Sequence, residues 1–176
     1  MGCLRGKKVL LRPIVRNDLE KLNIWKNDEN VYKYLGGGFQ PTSIDIQNKW
    51  MEALMDTTGN NKRFIIENTN SEAVGMIGLY SINWVHRSSE LGIFIGDMEQ
   101  QGKGYASEAY YLLEEYVRKY INLHKIKAYV VKDNEKAVSM YKKLHFRSAG
   151  CLVEERFIDG KYCDVLIMEK IYKSEC

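Results

Sequence analysis

The chain of 176 residues contains few of the residues that interrupt or cross-link a sequence: two prolines, three histidines and four cysteines. So little proline argues against long linkers and disordered tails. No pair of cysteines has CxxC spacing, so neither a zinc site nor a disulfide framework is predicted. The four thiols are those of Cys3, Cys151, Cys163 and Cys176. We therefore expect free thiols in a reducing compartment, a cytoplasmic location and no metal.

Long apolar runs and an excess of one charge are also absent. No stretch approaches the length of a membrane span, and the first thirteen residues lack the apolar core of a signal peptide. The 26 basic residues are interleaved with 23 acidic ones, for a formal net charge of +3, which does not predict nucleic-acid binding. With 45% hydrophobic residues, we expect residues 1–176 to form a single domain without a membrane or nucleic-acid partner.

The hydrophobic pattern of the first half predicts strands separated by two helices. Strands are expected over residues 9–14, 63–67, 73–84 and 88–96. The first helix is expected to be capped by Asn17-Asp18, and the second by Thr42 or Ser43. The apolar positions expected to face the core are Leu19, Leu22 and Trp25 in the first helix, and Ile46, Trp50 and Leu54 in the second.

The second half predicts alternating helices and strands. A long helix follows residue 104, and its apolar face contains Ala106, Ala109, Tyr110, Leu113, Tyr116, Val117 and Tyr120. A buried strand over residues 126–131 precedes a helix capped by Asp133 or Asn134. Two final strands, 153–158 and 162–171, are joined by Asp159-Gly160, a hairpin signal. The order predicts an α/β fold with a mixed central sheet, locally parallel strands and helices on both sides.

Residues 100–109 (QQGKGYASEA) place two glycines and a lysine directly before the long helix. Glycines let the backbone turn sharply, and the open N–H groups of a helix start favour an anion such as phosphate. A dinucleotide-binding fingerprint does not fit because its third glycine is absent, and the spacing of a Walker loop does not fit either. The motif therefore predicts a phosphate site of another kind.

Four segments resemble the GNAT acetyltransferase superfamily. Residues 101–106 match its Q/R-x-x-G-x-G/A pattern, and residues 89–95 resemble the strand before that loop. Residues 134–146 resemble its N-x-x-A-x-x-x-Y-x-K-x-G-F segment, with His145 where the family usually has glycine. Residues 157–164 resemble its C-terminal hairpin, so the resemblance runs from about residue 8 to 171 and implies the GNAT fold.

This resemblance implies acetyl-CoA as cosubstrate. The main chain of residues 101–106 would bind the pyrophosphate, and main-chain groups near residues 94 and 95 would pair with the pantetheine arm. Asn134 would help to hold the cofactor, with a helix N-cap as its alternative role. The implied cofactor-binding residues are Phe94, Ile95, Gln101, Gly102, Lys103, Gly104, Tyr105, Ala106 and Asn134.

Acetyl transfer to an amine requires a neutral amine, although a lysine-like amine has a pKa of about 10.4. The resemblance implies Tyr141 as the acid that protonates the departing thiolate, and a core tyrosine is the alternative. It implies Glu90 as the base, directly or through a water, and a surface carboxylate paired with Arg87 or Lys103 is the alternative. His86 is the next candidate for the base.

The acceptor stays open between several amines. Residues 11–13, 83–87 and 159–162 look most like the branch that contains ribosomal-protein N-terminal alanine acetyltransferases. Spermidine acetyltransferases are also similar, since they share an N-x-V-H-R stretch. We expect direct attack by a primary amine of a protein N-terminus or of a small molecule. The neutral stretch 35–40 weighs against a polyamine, although Asp28, Glu29 and Asp45 are nearby in the sequence. An amino sugar, a catalytically silent CoA-binding module and a homodimer are further hypotheses.

Overall fold

The computed structural model describes residues 2–172, which form an eight-stranded sheet in the order β1-β2-β3-β4-β5-β6-β8-β7. The strands are β1 (Leu4–Arg5), β2 (Val9–Pro13), β3 (Lys62–Asn68), β4 (Ala73–Asn83), β5 (Ser88–Ile95), β6 (Lys125–Val131), β7 (Arg147–Ile158) and β8 (Lys161–Ile171). The helices are α1 (Leu19–Lys26), α2 (Glu29–Tyr32), α3 (Ile44–Met55), α4 (Tyr105–Tyr116) and α5 (Glu135–Lys143). The predicted mixed sheet between helices is therefore confirmed.

Strands β5 and β6 form the single parallel pair of the described sheet, and every other neighbouring pair is antiparallel. Their pairing is limited to three positions, the last of which joins Glu90 to Lys127. Beyond this point β5 stays paired with β4, and β6 stays paired with β8. The sheet therefore opens into a gap between β5 and β6.

Two apolar cores cover the two faces of the sheet. Helices α4 and α5 contribute to the larger core through Tyr110, Leu113 and Tyr141. Helices α1 and α3 contribute to the smaller core through Trp25 and Met51. Because side chains alternate across a strand, each strand of the sheet centre contributes to both cores. No helix within residues 2–172 has the length and apolar character needed to cross a membrane.

The predicted core face of α3 is wrong at Ile46 and Trp50 and right at Leu54, which packs against the smaller core. Ser43 caps the helix as predicted, since its Oγ accepts a hydrogen bond from the Ile46 amide at 3.3 Å. Ile46 and Trp50, however, are 38% and 45% exposed, whereas Gln47 and Met51 are buried. The pattern was misread because a polar residue, Gln47, lies on the buried face.

The end of α4 also differs from the prediction. The helix widens into a π turn over Val117–Ile121, which closes with the Asn122 amide donating to the Val117 carbonyl at 2.7 Å. Tyr120, which was predicted to be in the apolar face, is consequently 73% exposed. The wider turn changes the angle between successive residues, so the helical period no longer predicts the buried face.

Asp18 does not act as the predicted helix cap. Its carboxylate accepts hydrogen bonds from both terminal nitrogens of Arg12 at 2.8 Å and from the Val15 amide at 2.8 Å. Arg12 also donates to Glu67. The hydrogen bonds to Asp18 raise the pKa of Arg12, so its charge is secure. The network joins β2 and β3 to the start of α1.

Candidate active site

The turn before α4 is held in a conformation that requires glycine. Gly102 has φ 77° and Gly104 has φ 84°, in the left-handed region that residues with a side chain rarely adopt. Gly104 is the residue that caps α4. The side chain of Gln101 fastens the turn to β5, because its Nε2 donates to the Ile95 carbonyl at 3.2 Å.

This turn leaves a row of backbone donors open to solvent. Gly102, Lys103 and Gly104 are exposed, and the first intrahelical bond is donated by the Glu108 amide to the Gly104 carbonyl. Within residues 2–172, the amides of residues 102–107 have no hydrogen-bond acceptor. Free N–H groups at a helix start suit an anion, so the turn fits the diphosphate of CoA.

The gap between β5 and β6 exposes backbone groups of β5. The Gly96 amide donates to the Val74 carbonyl of β4 at 2.9 Å, which sets the alternation of the ladder. Phe94 therefore presents its backbone to β4, whereas Ile93 and Ile95 present theirs to the gap. The Phe94 ring packs edge-on against Trp25 and Tyr32. Of the two predicted contacts with the pantetheine arm, only Ile95 faces the gap, and Ile93 joins it.

Tyr141 is positioned by the way α5 ends. The His145 amide donates to Lys142 and the Phe146 amide to Tyr141, both at 3.0 Å, which is the bonding pattern of a Schellman motif. His145 has φ 65°, the conformation that glycine usually supplies at this place. Phe146 packs against Tyr141 with ring centroids 5.2 Å apart. The motif and the packing of Phe146 therefore fix the position of the Tyr141 ring.

The Tyr141 side chain is almost enclosed, with the residue only 5% exposed. Burial raises the pKa of the phenol, and the charge of Glu90 raises the pKa further. The neutral form with its proton therefore persists to higher pH than in an ordinary tyrosine. Tyr141 belongs to the larger core and is also within electrostatic reach of Glu90, so its core role is seen directly and its acid role stays a prediction.

Glu90 lies at the last parallel bridge, where the gap begins. Its side chain is on the α1–α3 face, the same face as that of Phe94, because the two positions differ by four. Neither predicted partner pairs with it: Arg87 bonds to Asn122, and Lys103 bonds to Gln100. The carboxylate instead faces Tyr80, directly opposite on β4.

Two other candidates have local structural surroundings of their own. His86 lies on the exposed turn between β4 and β5, where its amide donates to Oδ1 of Asn83 at 2.8 Å. Asn134 is the N-cap of α5, since its Oδ1 accepts from the Ala137 amide at 3.2 Å. The cap role of Asn134 is thus seen directly, and its role toward the cofactor stays a prediction.

Two residues near Glu90 were not found from the sequence. The Tyr80 ring lies over a cross-strand pair of glycines, where a Cβ on Gly92 would be 2.8 Å from Cε2 of the ring. Arg156 donates from Nη1 to the Tyr34 carbonyl at 2.8 Å, and burial lowers the pKa of its guanidinium. The glycines at positions 78 and 92 could have indicated that the Tyr80 ring packs over them. No neighbouring residue in the sequence points to Arg156.

A cleft of about 460 Å³ lies between the loop that follows α2 and the β7–β8 hairpin. Its charged lining residues are Glu29, Lys33, Glu155, Arg156 and Asp159. Lys33 is paired with Asp159 at 3.2 Å, and Glu29 and Glu155 have no ion pair within the described chain. The lining therefore carries one more negative than positive formal charge.

Among residues 2–172, no group of three or more His, Cys, Asp or Glu side chains could hold a metal ion. Cys3, Cys151 and Cys163 are free thiols, as expected. Cys176 lies outside the described residues. Cys163 is buried, and its Sγ lies 4.0 Å from Asp133, at the far hairpin rather than in the gap between β5 and β6.

Comparisons with known proteins agree with this geometry. Residues 8–147 match the family described as acetyltransferase (GNAT) domain. The chain is 33% identical over 160 residues to the spermidine N(1)-acetyltransferase of Vibrio cholerae, a match that covers 91% of each protein. A crystal structure of spermidine N-acetyltransferase from Vibrio cholerae, in complex with CoA and spermine, superposes with a TM-score of 0.86 at 33% identity, over 94% of this chain and 96% of that one. A dodecameric structure of spermidine N-acetyltransferase from Vibrio cholerae gives a TM-score of 0.79 at 32% identity, over 94% and 95% of the two chains.

Proposed function

Because this chain belongs to the GNAT acetyltransferase family and is an acetyl-CoA-dependent N-acetyltransferase, we propose that its acceptor is a polyamine such as spermidine. The relatives named for this activity match nearly the whole chain. The observation that carries the proposal is the acidic cleft, one of whose lining residues, Arg156, interacts electrostatically with Glu90. A polycation is attracted to a pocket with an excess of carboxylates.

The structure answers the objection raised by the neutral loop 35–40. That loop forms one wall of the cleft, but the opposite wall comes from the β7–β8 hairpin, more than 100 residues later. The hairpin contributes Glu155 and Asp159, and α2 contributes Glu29. Unpaired carboxylates at Glu29 and Glu155 are available to bind the ammonium groups that do not react.

When bound, acetyl-CoA supplies the thioester carbonyl that is attacked and the thiolate that leaves. Glu90 receives the proton of the attacking ammonium at a carboxylate oxygen, directly or through a water, so that the amine is neutral when it attacks. Tyr141 holds a proton at Oη and donates it to the leaving group. Arg156 lies close enough to Glu90 for the charges of the two side chains to interact.

Backbone groups hold the cosubstrate on both sides of this centre. The amides of residues 102–106 bind the diphosphate, and the gap-facing groups of Ile93 and Ile95 pair with the pantetheine amides as an added strand would. None of the three described thiols, those of Cys3, Cys151 and Cys163, belongs to β5 or β6, which favours direct attack by the amine over transfer through a cysteine. The two anchors fix the thioester between Glu90 and Tyr141.

The proposal is tested with a panel of amines and a free-thiol readout of CoA release. Spermidine, glucosamine and a peptide with N-terminal alanine are compared at equal concentrations, with kcat/KM as the measure. We expect spermidine to be preferred. A preference for the peptide or the sugar would overturn the polyamine assignment, and tight CoA binding without transfer to any amine would indicate a silent module.

The Glu155→Gln substitution should raise the KM for spermidine about threefold to fivefold and leave kcat nearly unchanged. It removes one exposed negative charge from the cleft, and such charges contribute modestly to binding. Glu20→Gln is the matched control, because Glu20 is an exposed carboxylate on α1 outside the cleft. An equal KM in both variants would contradict a role for the acidic wall.

The expected self-association is proposed to use the β7 edge. β7 has a free edge at the end of the sheet, and Val153 on it is 75% exposed. Long exposed edge strands readily pair with another chain. The dodecameric relative supports assembly.

The free thiols of the described chain support a cytoplasmic location.

Light scattering after gel filtration should show that the unmodified protein is an oligomer. The Val153→Lys variant should have a lower mass, because a charge on the β7 edge opposes pairing with another chain. Val85→Lys, on the exposed turn between β4 and β5, is the control and should keep the assembly. A monomeric mass for the unmodified chain would contradict self-association.

A further inference from the structure

We propose that Lys8, in the turn between β1 and β2, is a further anchor for the phosphates of CoA. The inference concerns the cosubstrate alone and adds a side chain to the backbone amides of residues 102–106. It rests on how the N-terminal turn is fastened to the start of α4.

Glu108, in the first turn of α4, holds the N-terminal turn in place. Its Oε1 accepts hydrogen bonds from the Lys7 amide and from the Lys8 amide, the latter at 2.8 Å. Gly6 closes the same turn by donating to the Val9 carbonyl at 2.8 Å. A side chain at Gly6 would overlap the Glu108 carboxylate and would displace it from this contact. The Glu108 carboxylate therefore binds the backbone amides of Lys7 and Lys8.

This fastening places the Lys8 ammonium at the edge of the phosphate turn. Its Nζ donates to the Lys103 carbonyl at 3.2 Å and lies 3.4 Å from the position that a Cβ on Gly104 would occupy. Lys8 forms no salt bridge with a carboxylate in the part of the chain that the structure describes. A lysine ammonium has three donors, so two remain for a ligand.

The position of the Lys8 ammonium suits a phosphate of the ligand better than it suits any group of the protein. CoA carries a diphosphate and a 3′-phosphate on its ribose, and a compact ammonium binds either as a point charge. The neighbouring residues Gly102 and Gly104 are exposed, and their amides have no acceptor within residues 2–172. Charged hydrogen bonds of this kind add affinity to that of neutral amides.

The experiment measures the Kd of CoA and of 3′-dephospho-CoA by calorimetry, without acceptor, at low and high salt. Lys8→Met should raise the Kd of CoA about tenfold at low salt and should flatten its salt dependence, because one ionic contact is lost. Lys8→Arg should retain most of the affinity. Lys49→Met, an exposed lysine on α3 across the sheet, should behave as the unmodified protein.

The two ligands identify the phosphate. An equal loss for both assigns Lys8 to the diphosphate, and a loss confined to CoA assigns it to the 3′-phosphate. An unchanged Kd, or a raised Kd with an unchanged salt dependence, would overturn the proposal, the latter because it indicates only a structural role. Since no acceptor is present, failure of spermidine acetylation would leave this result unaffected.

Discussion

We expect Tyr141→Phe to lower kcat by about a hundredfold and to leave the Kd of CoA within about twofold of that of the unmodified protein. The substitution removes Oη, which carries the proton for the leaving thiolate, and keeps the ring that packs against Phe146. Because its raised pKa keeps the Tyr141 phenol protonated across the usual assay range, titration of this group should not change the fold loss within that range. The measurements are initial rates with spermidine and calorimetric binding of CoA.

Tyr111→Phe is the control for this result. Tyr111 is on α4 and is 47% exposed. The substitution removes a phenol hydroxyl, as Tyr141→Phe does, but from a side chain outside the gap between β5 and β6. It should retain full kcat. If Tyr141→Phe also retained full kcat, the acid role would be withdrawn, and Tyr141 would remain a core residue only.

Gly104→Val should raise the Kd of CoA by about thirtyfold, or about 2 kcal/mol. Gly104 has φ 84°, which a β-branched residue reaches only with strain, so the turn must change its path. The amides of residues 102–106 then no longer converge on one anion. Calorimetry gives the Kd directly, and kcat at saturating CoA should change much less.

Gly160→Val serves as the matched control for this substitution. Gly160 has φ 78° in the β7–β8 hairpin, so the strain is similar, but the hairpin is remote from the phosphate turn in the fold. CoA affinity should be unchanged in this variant even if the hairpin is weakened. Equal Kd values for Gly104→Val and the unmodified protein would remove the turn from the cofactor site.

The fold was predictable wherever a signal is local. Asp159-Gly160 predicted the final hairpin, and both residues adopt the positive φ that such a turn needs. The glycine pair at 102 and 104 predicted the sharp turn before α4 for the same reason, and phosphate binding at this turn stays a prediction. The short elements β1 and α2 were missed, since two and four residues are too few to show a period.

The candidate site was predictable only in part, because its charges come from distant segments. Glu155 joins Glu29 in the acidic cleft across a separation that no spacing rule spans. Asp18 was predicted as a cap because it precedes α1, but Arg12 provides a stronger partner for its carboxylate. Lys8 reaches the phosphate turn through Glu108, a contact that the sequence does not show.

The Schellman end of α5 makes the position of Tyr141, the proposed proton donor, depend on chain length. Successive helical residues are rotated by about 100°, and Tyr141 is two residues before Lys143, the last residue of α5. Adding or removing one residue between Tyr141 and β7 would keep the hydrophobic content but swing the phenol away from the strand opening. Evolution can therefore exchange the amino acid at position 145, as histidine in place of glycine illustrates, more freely than it can change the number of residues there.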